Sequence, residues 1–147
     1  MALNQVLLIV TSSLIVQLIV FVLLIVGYMY KRKQKYRLHG LVMTSAVVIH
    51  LVAIFAIMVR SFVEAIVPHF ILVNPIELVS LVSVIHGVLG ATAAILGTWR
   101  VVSWRFRKDL TGCINKKKYM LATITVWSGA LVFGIALYLI FLPSLLG

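Results

Sequence analysis

Charge is scarce in this chain, and acid almost absent. Of 147 residues only 11% are charged and three are acidic. A soluble domain carries about a quarter charged residues. Three acidic residues, Glu64, Glu77 and Asp109, are too few and too scattered to pair for acid–base chemistry. There is one cysteine, Cys113, which excludes an intrachain disulfide and any zinc cluster built on two or more thiolates. No glycine-rich phosphate loop occurs, and no serine stands with a histidine and an acid in a triad order. No internal repeat or low-complexity linker is present. These absences argue against an enzyme.

Apolar sequence is what the chain has in excess: 63% of residues are hydrophobic. Runs long enough to span a bilayer occur at residues 5–29, 39–63, 77–100 and 119–141, each near the roughly 20 residues that a membrane helix needs. Inside lipid each backbone must satisfy itself as helix. The fold expected is all-α, a single transmembrane domain over residues 1–147 built as an antiparallel four-helix bundle. The first run lacks a basic n-region and a small-residue cleavage site, so it reads as a retained helix rather than a signal peptide.

The net charge of +10 sits in two places. Lys31, Arg32, Lys33, Lys35 and Arg37 fill the first loop, and Arg100, Arg105, Arg107, Lys108 and Lys116–Lys118 fill the third. Only Arg60 lies elsewhere. Loops one and three of a four-helix protein share a side, and the positive-inside rule makes that side cytoplasmic, with both termini outside. The expected location is the plasma membrane. The charge is thus a topology signal with attraction for anionic lipid heads, and it implies no nucleic-acid role. The third loop, with Trp99, Trp104 and Phe106, reads as an interfacial continuation of helix three until Gly112 breaks it. The second loop, EAIVPHFILVNPIE, carries Pro68, His69 and Pro75 and reads as external.

Histidines stand out against this background. Residues 39–50 read HGLVMTSAVVIH. Positions eleven apart on a helix differ by about 20°, so His39 and His50 share a face, with Met43, Ala46, Ile57, Ser61 and Glu64 on the same stripe. Such a stripe should face other helices. On helix three the face of His86 continues as Gly90, Ala93 and Gly97, flanked by Gly87, Ala91 and Ala94. Small residues there either bring another backbone close or leave room for a flat cofactor. Ser13 and Gln17 share a face of helix one and are expected to bond across to another helix.

If Arg37 and Arg100 mark one boundary, His50 and His86 both lie roughly 20 Å from it. Level imidazoles in a bundle core are what bis-histidine haem ligation requires. The candidate cofactor site is therefore His86, His50 and His39, with Met43 nearby and Arg60 available to Glu64 or to a haem propionate. The candidate iron ligands are His86 and His50, and the candidate cofactor is haem b. Two alternatives stand beside this reading. One is a cofactor-free accessory or structural subunit whose histidines bond between helices. The other is a proton pathway, which four helices without broken segments or inverted repeats match poorly.

One pattern resembles a known family. His39-x-x-x-Met43 opens helix two, His86 lies in helix three, and helix four reads Thr123-x-x-x-Trp127, then Gly134, then Tyr138. Their order is similar to a family of small four-span membrane proteins that includes CtaM-like factors needed to mature haem–copper cytochrome oxidase. The resemblance covers helices two to four. It implies a role in oxidase assembly or haem handling, with a respiratory membrane complex as partner; the histidine-bearing helices also resemble small b-type cytochromes, which implies a small b-type electron carrier. The family carries a further histidine before helix four, and CINKKKY has none. A family-type site would use His39 and His86, whereas depth matching selects His50 and His86. His86 belongs to both. Thr123, Trp127, Ser128, Gly129, Gly134 and Tyr138 are assigned packing roles.

Overall fold

The computed structural model describes residues 2–105 and 117–146. Within them the chain is helical almost throughout. Helix α1 spans Ala2–Arg32. Helix α2 begins as Tyr36–Ala53 and continues without interruption as a π-helical stretch Ile54–Met58, a short α-helical link Val59–Ser61 and a second π-helical stretch Phe62–Ile71. Helix α3 spans Leu78–Arg105 and α4 spans Lys117–Leu146. All four are long and apolar enough to cross a membrane.

Each helix overruns its expected apolar core. The ends of α1 include Lys31 and Arg32 in the last turn, where cations favour the negative end of the helix dipole. The connection to α2 is tight. Lys35 N–H reaches the Tyr30 carbonyl at 3.0 Å and Gln34 N–H reaches the Lys31 carbonyl at 3.0 Å, the paired bonds of a Schellman ending. Gln34 occupies its left-handed position, with φ of 57°.

The largest departure from expectation is in the second loop. Sequence placed Pro68 and His69 in an external loop, yet α2 runs through both and ends at Ile71. Beyond Glu64 the run is apolar apart from His69 until Asn74, and wide winding accommodates a proline that has no N–H and crowds the carbonyl four residues back. Leu72 N–H bonds to the Val67 carbonyl at 3.0 Å, a five-residue step. The remaining connection is pinned by Asn74, whose carbonyl accepts from Ser80 Oγ at 2.8 Å.

The buried core draws on every helix: Val20 and Leu24 of α1, Ala46 and Val47 of α2, Ala93 of α3 and Trp127 of α4. Alanines at these points let backbones approach and the indole fills the remaining volume. Outside this core, Ile15, Val22, Val52, Val88, Ile95 and Val132 are exposed. Such an apolar exterior suits contact with a lipid bilayer. The most extensive packing is between α1 and α2 and between α3 and α4. The two pairs meet through α1 with α4 and α2 with α3.

Candidate functional site

His39 lies near the start of α2 and is buried. Its Nδ1 is 2.7 Å from the Gly27 carbonyl of α1. A carbonyl can only accept, so Nδ1 carries the proton there. Gly27 is confined by the same contact region: an added Cβ would stand 2.7 Å from Met43 Sδ. Met43 therefore packs on α1 beside this clamp.

His50 is 4% exposed. Its ring packs on Trp127 with centroids 4.7 Å apart and planes tilted by 52°, and it interacts with the Gly90 carbonyl of α3. Its Nε2 is buried and has no hydrogen-bond partner. His86 is half-buried, and its Nδ1 donates to the Ala130 carbonyl of α4 at 2.8 Å. Gly134 makes this possible, because a Cβ there would stand 2.8 Å from Gln17 Oε1 and 3.0 Å from His86 Cε1. The partners of His50 and His86 are not level. Gly90 is four residues from His86 and Trp127 three from Ala130, so the rings are offset by roughly 5 Å along the helices. His39 is held at the opposite end of the stripe and does not join them.

Above His50, towards the C-terminal part of α2, lies a cleft of about 500 Å³. The N-terminal halves of α1 and α3 and the C-terminal halves of α2 and α4 form its walls. The small residues of α3 divide their labour here. Gly97 is a close approach, where a Cβ would meet Trp127 and Val47 at 3.1 Å. Gly87 and Gly90 line the cleft, and a Cβ at either meets nothing within 4 Å. Gly97 thus admits side chains of α2 and α4, while Gly87 and Gly90 border open space.

The stripe of α2 continues past its α-helical first part as far as Ser61. His39, Ala46 and His50 are buried, and Ile57 and Ser61 line the cleft. Glu64 was expected to turn inward, but it is exposed and pairs with Arg60 at 3.2 Å. One wide-wound stretch intervenes and Glu64 lies within the second, so a projection of about 100° per residue no longer applies. Arg60 thus takes Glu64 as partner, at the rim of the cleft between Val59 and Ser61. Gln17 and Ser13 were expected to bond between helices. Instead Gln17 Nε2 bonds Ser13 Oγ on the same helix at 3.4 Å. Trp99 is 70% exposed, as an interfacial residue should be, while Trp104 packs on Gly40 of α2. Phe106, Asp109, Gly112 and Cys113 lie outside the described residues. Among the described residues, no group of three or more His, Cys, Asp or Glu side chains could hold a metal ion.

Sequence reasoning left three site residues in packing roles or unmentioned. Trp127 covers His50, Gln17 approaches His86, and Ser83 is buried in the cleft wall with an unpartnered hydroxyl. The only signal for Ser83 was its place one turn before His86 on the same helix. No family model, curated protein or solved structure matches this chain.

Proposed function

We propose that this is a multi-pass plasma-membrane protein that binds haem through its two deep histidines and serves in haem handling for cytochrome-oxidase assembly or in membrane electron transfer. The bundle is antiparallel, with the basic first and third loops in the cytoplasm and both termini outside. A respiratory membrane complex is the partner. The observation that carries the reading is the buried, unpartnered Nε2 of His50, close to a His86 whose Nδ1–H is held by a carbonyl. A backbone carbonyl on one imidazole nitrogen fixes the tautomer and leaves the other nitrogen free to ligate, as in ligating histidines generally.

The residues fit axial ligation. A neutral imidazole is a standard axial ligand, and an orphaned buried acceptor calls for a partner. Gly87 and Gly90 leave space beside His86. Bound haem would supply one-electron chemistry. The chain's own work is to orient two imidazoles, exclude water with Trp127, and offer Arg60 at the rim, where it would exchange Glu64 for a propionate. Closing the offset of roughly one turn between the rings requires a small shift between α2 and α3.

A second reading has its own observation. His39 and His86 both bond carbonyls of neighbouring helices, which is what a cofactor-free accessory subunit would use to hold its bundle. An optical spectrum of the purified protein, expressed with ample haem and measured oxidised and reduced, separates the two. A Soret band with sharp α and β bands is expected, lost in His86→Ala and His50→Ala and kept in His39→Ala. A colourless, folded protein sinks the haem reading in favour of the accessory one.

A further inference from the structure

The cleft beside His86 has a chemistry of its own. Its lining contains no Lys, Arg, Asp or Glu. A lipid held by an ionic head, a free phosphate or a bare cation therefore finds no counter-charge in it. It opens sideways: Val59 and Val63 of α2 and Val84 and Val88 of α3 line it and are also exposed. These residues lie within apolar spans, so the opening faces the bilayer interior. At about 500 Å³ the cleft is within the range of sites that hold cofactor-sized ligands.

Its polar groups are few. Ser83 is 2% exposed and its Oγ has no partner. That is unusual in this protein. Thr44, Ser45, Thr92, Thr123 and Thr125 each bond the carbonyl four residues back, at 2.7–3.1 Å. Ser83 has the same option at Val79 and does not take it. A buried hydroxyl left unpaired costs about 1–3 kcal/mol unless something satisfies it. Gln17, from α1, also lines the cleft and its amide oxygen points to the Gly134–His86 corner. Between these groups lies the slot over Gly87 and Gly90, where no neighbour stands within 4 Å of an added Cβ. Apolar walls, a side opening to lipid, a flat slot and neutral hydrogen-bonding groups together specify a ligand.

We propose that the cleft binds a neutral lipid-soluble molecule with a flat, hydrogen-bonding ring head and an apolar tail, of the isoprenoid quinone class. On rotation of its side chain from beneath the wall into the cleft, Ser83 Oγ donates to a ring carbonyl in the oxidised form and accepts from a ring hydroxyl in the reduced form. The Gln17 side chain meets the head from the α1 side. The tail leaves between Val63 and Val88 into the bilayer. The head occupies the space beside His86 that haem would also need, so the binding belongs to the haem-free protein.

The test is equilibrium binding of a decyl-substituted benzoquinone to the detergent-solubilised full chain, read by quenching of tryptophan fluorescence. Saturable binding is expected. Ser83→Ala should weaken it about fivefold to tenfold, the worth of one neutral hydrogen bond. Gly87→Leu and Gly90→Leu should abolish it by filling the slot. Both replace glycine in open space, so folding is kept, as circular dichroism and gel filtration will verify. Decanol, with the tail and no ring, should compete at least tenfold less well. Equal competition by decanol, or unchanged binding in Ser83→Ala together with Gly87→Leu, overturns the proposal and leaves a plain apolar crevice. A colourless preparation that binds the quinone sinks the haem reading alone. Haem-free, folded protein that ignores the quinone sinks this one alone.

Discussion

At the scale of single residues, glycines of the same kind do opposite work. An added Cβ at Gly40 would fall on the Trp104 ring, a rigid neighbour. Gly40→Ala should therefore lower stability by about 1–3 kcal/mol, the usual cost of overpacking, seen as a lower Tm in detergent. Gly90→Ala meets nothing and should be neutral or raise stability by up to about 1 kcal/mol through helix propensity. A third position runs the other way. Gln34 holds a left-handed φ of 57°, which costs an L-residue about 1–2 kcal/mol. Gln34→Gly should recover about 1 kcal/mol in the same melting assay, and no change would mean the turn is not under strain. Much of the candidate site was legible at this scale. His50 and His86 are deep because long apolar sequence surrounds them, and that is visible in one dimension. Their height was not. Counting from Arg37 and Arg100 assumes that both mark one plane, whereas the neighbours of the two imidazoles lie about one turn apart. Ser83 and Trp127 were illegible as site residues, since their roles depend on which neighbour turns toward them.

At the scale of elements, α2 is the informative one. Its first half obeys α-helical projection and buries His39, Ala46 and His50. Its second half is wound wider and carries Pro68. Span positions were legible from hydropathy because lipid leaves the backbone no other choice. Winding was not, because Ile, Val and Phe suit either form and the decision lies in which carbonyl each N–H reaches. Wide winding exposes more backbone and packs less well. Amide exchange is therefore expected to be faster across residues 54–71 than across residues 36–53, measured by mass spectrometry in detergent. Pro68→Ala restores an N–H and removes the clash with the carbonyl of Glu64, so it should slow exchange across residues 62–71. Unaltered exchange there would mean that the proline does not set the winding.

For the molecule as a whole, the two helix pairs meet over the core of Val20, Ala46, Ala93 and Trp127 and part above it as the cleft. The proposed orientation has a direct check. In a Cys113→Ser background, Ile76→Cys should react with a membrane-impermeant maleimide on intact cells, since Ile76 is 80% exposed in the second connection. Lys33→Cys, in the first, should react only after permeabilisation. The reverse pattern would invert the topology. The length of α2 bears on how the protein sits in its membrane. From Tyr36 to Ile71 it has 36 residues, which as α-helix would measure about 54 Å against a hydrocarbon core of about 30 Å. Tilts of up to about 40° absorb only part of that excess. The charged pair Arg60–Glu64 is exposed along this long helix. A rod with two windings is also a rod of adjustable length. In a thinner bilayer more of it must shorten or lean, and the cleft wall it forms moves with it. Bilayers of different lipid composition differ in thickness, so the tilt of this helix is set by the membrane that holds it.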